Sequence, residues 1–247
     1  MSELMQDGLL HIHPQWDDVL RRSGLNSFSA MMSACDGRRV GWHKNRCETY
    51  RLKLCCGNEV FIKRDIATER STIANDLLHF RKSQPMTHKE YLAIESVASL
   101  GIRTQEVISH GQRRRLGLAH QGFLMTLPLA GQSLEELYKS GPSMTERAAV
   151  LSAMCDAIAR IEQAGLCWPD LRPRHVFVDG PGTIGLLDLE RLAPQSRHNC
   201  RRVVRCWGLF VKELKAAGAG KEDFVLLKTL MAGNPSIEEV CAQAIES

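Results

Sequence analysis

Residues 166–191, LCWPDLRPRHVFVDGPGTIGLLDLER, set Asp170, His175 and Asp188 into an otherwise apolar hairpin. The stretches HVFV and TIGLLDL read as its two strands. A hairpin of that composition turns at least one face inward, and an ionised carboxylate placed there is costly unless it is paired or holds a cation. Singly, Asp170 after a proline suits an ordinary turn, and Asp188 suits a strand end. Together, eighteen residues apart on one hairpin with His175 five after the first, they point to a site that gathers acids for chemistry.

The rest of the chain can support such a site. At 247 residues and 44% hydrophobic it is long enough to bury a sizeable core, in one large domain or two tightly joined lobes. No apolar run reaches the roughly 18 residues a membrane span needs, and the start, MSELMQDGLLHIHPQWDD, is unlike a signal peptide. A cytoplasmic protein is expected. Nine cysteines, an odd number without a CxxC pair, suggest reduced and mostly buried thiols. His198, Cys200 and Cys206 lack the fourth ligand and the spacing of a zinc site. The net charge of +4 is unevenly placed. Seven arginines (Arg172, Arg174, Arg191, Arg197, Arg201, Arg202 and Arg205) face three acids between 172 and 205, and Arg113, Arg114 and Arg115 form a second cluster. Such clusters attract anionic partners or membrane surfaces, and each also suits a merely solvated face. Without an aromatic stacking surface they do not suggest a nucleic-acid binder.

Along the chain, TYRLKLCCGNEVFIKR alternates on both sides of Gly57-Asn58, which predicts two strands around a tight turn with Lys63 at the end of the second. Thr87 and Glu90 have the spacing of a capping box, ahead of Ile94, Val97 and Leu100 at helical intervals and Gly101 as a stop. TQEVISHG and GFLMTLPL read as strands separated by the basic turn QRRR. Ser133 with Glu136 and Ser143 with Glu146 cap two helices, the second striped by Leu151, Met154, Cys155, Ile158 and Ile161 up to Gly165. RRVVRCWGLFVKELKAAG and KEDFVLLKTLMAG read as two more. A small sheet-rich region therefore precedes a mostly helical one.

The order Lys63, Glu90, Asp170, His175, Asp188 follows the protein-kinase template. There, a strand lysine paired to a helix glutamate grips phosphates, a first aspartate receives the hydroxyl proton, and a second holds Mg²⁺. Mg²⁺ takes oxygen ligands, which explains a carboxylate at 188. On the stretches NRCETYRLKLCCGNEVFIKR, HKEYLAIESVASLGI, FLMTLPLAGQSL, LCWPDLRPRHVFV and GLLDLER, the chain resembles the bacterial lipopolysaccharide-core kinases, the Kdo and heptose kinases with the related InaA-like proteins. The resemblance implies an α+β, bilobal protein-kinase-like fold, with residues 1–126 as the N-terminal lobe and 127–247 as the C-terminal lobe. It implies transfer of phosphate from ATP with Mg²⁺ to a sugar of the lipopolysaccharide core on lipid A, at the inner-membrane surface. It further implies Asp170 and Lys63 as catalytic, Lys63, Glu90, Thr126, Leu127 and Arg46 as nucleotide contacts, and Asp188 with His175 at the metal. Glu95 is the substitute for Glu90. Histidine at 175 resembles the heptose kinases, where Kdo kinases tend to carry asparagine.

Four departures stand beside the resemblance. His175 is a poor ligand for Mg²⁺, and either a phosphate contact or a brace for Asp170 is its alternative role. Trp168-Pro169-Asp170 replaces His-Arg-Asp, so a phosphorylated activation loop has no arginine receiver. No GxGxxG precedes Lys63, and the nearest glycines are those of GRRVG. Cys206 stands where these kinases usually present an aspartate that braces the catalytic loop. A catalytically silent pseudokinase and a soluble small-molecule phosphotransferase therefore remain as alternatives.

Overall fold

The computed structural model describes residues 8–43, 47–78, 80, 82–180, 182–233 and 235–246. In chain order these form β1 (Leu9–Ile12), α1 (Asp17–Arg22), α2 (Phe28–Ser33), β2 (Arg38–His43), β3 (Cys47–Lys53), β4 (Glu59–Asp65), α3 (Arg70–Leu78) and α4 (Met86–Ser99). Then come β5 (Arg103–Thr104), β6 (Val107–Arg115), β7 (Leu118–Thr126), β8 (Gln132–Ser133), α5 (Leu134–Lys139), α6 (Met144–Gln163), β9 (Leu166–Cys167) and β10 (Val176–Val178). The last are β11 (Ile184–Leu186), β12 (Ala193–Pro194), α7 (Arg197–Ala216), α8 (Lys221–Leu230) and α9 (Pro235–Glu246). Two compact units result, one from Met1–Leu92 with Gln105–Pro128, the other from Ala93–Thr104 with Leu129–Ser247.

In the first unit the described strands build a six-stranded sheet in the order β1-β6-β7-β4-β3-β2, each neighbouring pair antiparallel. Alternation in β3 and β4 sends Leu52, Val60 and Ile62 into a core shared with Trp16, Phe28 and Phe123. The hairpin between them closes as expected, with the Leu54 N–H donating to the Asn58 carbonyl at 2.9 Å and Gly57 at a φ of +89°. β4 does not stop at Lys63. It continues through Arg64 and Asp65, which pair with Phe123 and Gly122 of β7. Both side chains are buried and partnered: the Arg64 guanidinium donates to Glu48 at 3.0 Å and to the Met32 carbonyl, and an Asp65 oxygen accepts from the Met86 N–H at 2.9 Å.

That last bond corrects the expected capping box. α4 begins at Met86, so Thr87 lies within its first turn, fully buried, with no hydrogen-bond partner for its hydroxyl among the described residues. A carboxylate from the neighbouring strand takes the cap position instead, satisfying an N–H that the helix leaves open. Burial, opposed by the Met86 bond, raises the pKa of Asp65. Ile94 and Val97 are buried as the periodicity required, and Gly101 closes the helix at a φ of +71°.

QRRR is strand rather than turn. Arg113, Arg114 and Arg115 pair with Gln121, Ala119 and Leu118, and the reversal falls on Leu116-Gly117, both at positive φ. Arg113 donates to Gln121 and Ser29 and covers the Phe28 ring, and Arg114 donates to the carbonyls of Gly117 and Ser83, so structural contacts hold two members of this basic cluster. The N-terminal elements β1, α1 and α2 escaped the sequence analysis. β1 joins the sheet beside β6, where His11 stacks on His110 at 4.8 Å, and Tyr91 of α4 stacks on His110 at 3.7 Å. Burial, then His11 and His88, lower the His110 pKa to about 4.

In the second unit both expected capping boxes form, Ser133 with Glu136 and Ser143 with Glu146, and the α6 stripe is buried. β10 and β11 make the expected hairpin, widened by β8 and β5 into a four-stranded sheet, but β11 ends at Leu186, so Asp188 lies beyond the strand that TIGLLDL led us to expect. Gly131, ahead of β8, has no room for a side chain, because a Cβ there would lie 2.1 Å from the Val178 carbonyl. α7 and α8 match the expected helices, whereas α9, which buries Ile237 and Cys241, was not read from the sequence. The eight described cysteines are free as expected, but only Cys155, Cys167 and Cys241 are buried.

Two stability outcomes follow. Thr87→Val should leave unfolding free energy unchanged or raise it, since no bond is lost, while Asp65→Ala should cost about 1–2 kcal/mol, both read by urea denaturation. His110 favours its neutral form in the fold, so the stability it contributes is present above the unfolded pKa of about 6.5 and is lost as pH falls toward the folded value of about 4. The drop in denaturation midpoint between pH 7 and pH 5 should therefore shrink in His110→Phe, which keeps the stacked ring.

Candidate active site

In the first unit, the strand and helix just described position Lys63 and Glu90. Lys63 leaves β4 two residues before Asp65, and Glu90 sits one turn beyond the capped start of α4, so the same contact that starts the helix brings the two together. The Lys63 ammonium lies 2.7 Å from a Glu90 carboxylate oxygen, with the glutamate side chain 6% exposed. Glu95, the substitute, is exposed. Thr126 ends β7, buried, and its hydroxyl accepts from the Gln105 amide at 3.0 Å. The Leu127 N–H donates to the Glu106 carbonyl at 3.0 Å. Arg46 lies outside the described residues. The GRRVG segment lies at the start of edge strand β2 rather than in a phosphate loop.

In the second unit, Asp170, His175 and Asp188 converge. β9 pairs with β12, Cys167 opposite Ala193, which fixes both ends of the intervening loop. Pro173 opens a single 3₁₀ turn that ends at His175, and the His175 carbonyl accepts from the Leu187 N–H at 2.9 Å, tying this turn to the end of β11. His175 is buried, and its Nδ1 lies 2.9 Å from the Asp170 carbonyl. A carbonyl only accepts, so Nδ1 carries the proton of this bond. Nε2 accepts from the Arg174 guanidinium at 3.3 Å and lies 3.7 Å from an Asp188 carboxylate oxygen.

Asp188 has a φ of +61°, a left-handed conformation that aspartate tolerates better than most residues. The Trp168 indole donates to its carbonyl at 3.3 Å, so the residue standing in the place of the template's histidine holds the backbone of the second acid. One ligand atom each from Asp170, His175 and Asp188 lie within 4.8 Å of one another. Two carboxylates that close repel, and the Arg191 guanidinium lies 3.8 Å from an Asp170 oxygen. The donor set suits a divalent cation: carboxylate oxygens for a hard ion such as Mg²⁺, with one imidazole nitrogen that leans towards softer ions.

The arginine run is less free than its composition suggested. Arg172 pairs with Glu213 at 2.9 Å and Arg191 lies between Asp170 and Glu190, whereas Arg201 and Arg205 are exposed on α7. Cys206, on the same helix, places its sulfur 2.7 Å from the Pro169 carbonyl oxygen. The side chains of His198 and Cys200 lie outside the described residues. The sequence singled out Trp168 and Cys206 only as departures from a template, and their backbone contacts had no signature in the spacing.

The family model described as the lipopolysaccharide kinase (Kdo/WaaP) family matches residues 28–205. No curated protein is matched by the sequence. Among solved structures, WaaP in complex with acyl carrier protein is similar at a TM-score of 0.70 and 16% identity, over 96% of this chain and 98% of its own. Monomeric WbdD is similar at a TM-score of 0.50 and 18% identity, over 83% of this chain and 46% of its own. At such identities the likeness is one of fold, and the α+β kinase-like fold expected from the sequence is the one found.

The backbone at Asp188 yields a test independent of chemistry. Asp188→Asn should change unfolding free energy by less than about 0.5 kcal/mol, and Asp188→Val, branched at a left-handed position, should cost roughly 1–3 kcal/mol, measured by thermal or urea denaturation.

Proposed function

The chain belongs to the lipopolysaccharide kinase (Kdo/WaaP) family and is a kinase, and on that premise we propose that it transfers the γ-phosphate of ATP to a hydroxyl of a heptose in the lipopolysaccharide inner core. The observation that supports this most is the convergence of Asp170, His175 and Asp188 within 4.8 Å on one loop. In this reading Asp170 orients the acceptor hydroxyl and takes its proton as the new oxygen–phosphorus bond forms and the bond to ADP breaks. Asp188 and His175 would hold Mg²⁺, which would supply positive charge to offset that on the phosphate oxygens. Lys63, kept in place by Glu90, grips the phosphates, and Arg46, Thr126 and Leu127 contact the rest of the nucleotide. In this reading residues 1–126 are the N-terminal lobe and 127–247 the C-terminal lobe.

The choice of heptose rests on His175, by resemblance to the heptose kinases. Arg191 and the exposed Arg201 and Arg205 supply cations for a phosphate- or carboxylate-bearing oligosaccharide. The acceptor is held by lipid A, and no helix among the described residues is long and apolar enough to cross a membrane. Peripheral contact with the cytoplasmic face of the inner membrane accounts for both.

The test supplies γ-labelled ATP and Mg²⁺ with core oligosaccharide from a deletion strain. Label should pass to a heptose, and Asp170→Ala should lower kcat by about 10²- to 10⁴-fold with the melting temperature kept. Stabilisation by ATP with Mg²⁺ but no transfer to any sugar would instead identify a silent binding module. Transfer only to small soluble alcohols would identify a small-molecule phosphotransferase.

A further inference from the structure

We infer that Cys206 is a positioning residue for Asp170: its thiol, presented by α7, donates to the Pro169 carbonyl and fixes the peptide plane that enters Asp170. The inference rests on the proposed role of Asp170 and extends it to a residue outside the acidic cluster. The Pro169 carbonyl and the Asp170 nitrogen belong to one planar unit, so holding that oxygen sets φ at Asp170. The next plane is held from the other side, because the Asp170 carbonyl accepts from His175 Nδ1 at 2.9 Å. With both planes pinned, the direction of the Asp170 Cα–Cβ bond is set.

The donor is itself well anchored. Trp207 and Phe210, immediately after it on α7, are buried and meet edge to face at 5.4 Å. The bond needs a proton on sulfur, since a thiolate would face the negative end of the carbonyl. Burial first and the Asp170 charge second push the thiol pKa up and keep that proton, against Arg172, Arg202 and Arg191. The sulfur lies 2.7 Å from the oxygen, closer than an atom of its size ordinarily approaches and at the spacing of a hydroxyl donor, so the smaller serine hydroxyl fits the same place. A thiol here therefore supplies by donation the loop bracing for which the kinases that this chain resembles use an aspartate.

The experiment compares Cys206→Ser, Cys206→Ala and Cys206→Val in the full chain, Val being included to keep the packing volume. Ala and Val should lower kcat for phosphate transfer on the order of 10- to 100-fold, with the KM for ATP within about twofold and melting temperatures close to that of the parent. Ser should restore kcat to within about threefold. Amide hydrogen exchange at Asp170 to Arg172 should quicken in Ala and Val but not in Ser. Parental kcat and exchange in Ala and Val, or Ser as impaired as Ala, would overturn the inference. If the parent chain transfers no phosphate, the functional proposal fails by itself, and the exchange pattern still decides whether the thiol braces the loop.

Discussion

Two carboxylates brought within a few ångströms of each other repel, and the second unit is organised around holding them there. Between β9 and β12, outside the β10–β11 hairpin, the segments that carry them are held by single bonds to backbone carbonyls: His175 to Asp170, Trp168 to Asp188, Cys206 to Pro169, and Leu187 to His175. These bonds fix the backbone at the acids, while an Asp188 oxygen lies 3.7 Å from His175 Nε2 and an Asp170 oxygen 3.8 Å from the Arg191 guanidinium. Phosphoryl transfer asks a protein for little covalent chemistry and much positioning of this kind.

His175 shows how one departure from the template changes meaning once its surroundings are known. As a ligand for Mg²⁺ it is a weak choice. As a donor through Nδ1 to the Asp170 carbonyl it has a structural task, and the same bond turns Nε2 towards Asp188. A single buried ring thus meets both acids, at the Asp170 carbonyl through Nδ1 and beside an Asp188 oxygen through Nε2.

Much of this was legible beforehand, for identifiable reasons. The hairpin ahead of Asp188, the two capped helices and the alternating strands around Gly57 are governed by local rules, periodicity and side-chain-to-backbone bonds three residues apart, and these survive in a one-dimensional reading. What failed depended on contacts distant in sequence. Thr87 and Glu90 have capping-box spacing, yet Asp65, twenty-one residues before Met86, does the capping. QRRR has the composition of a solvated turn, yet the carbonyls of Gly117 and Ser83 and the ring of Phe28 hold its arginines in strand. Lys63 was placed at a strand end because the pairing of Arg64 and Asp65 with β7 cannot be seen from β4 alone. At the site, residue identity and order were readable, whereas the bonds that aim the acids run to main-chain carbonyls and follow no residue-type code.

The bond between Asp65 and Met86 also bears on how the first unit can move. Lys63 and Asp65 lie on one strand two residues apart, and Met86 and Glu90 lie on one helix a turn apart, so the ion pair and the cap form two parallel struts between the same two elements. Sliding or swinging α4 away from β4 would break both at once, exposing the helix amides and stranding a buried glutamate in the same step. Tilting this helix therefore costs both contacts together, and the position of the lysine is tied to the start of α4.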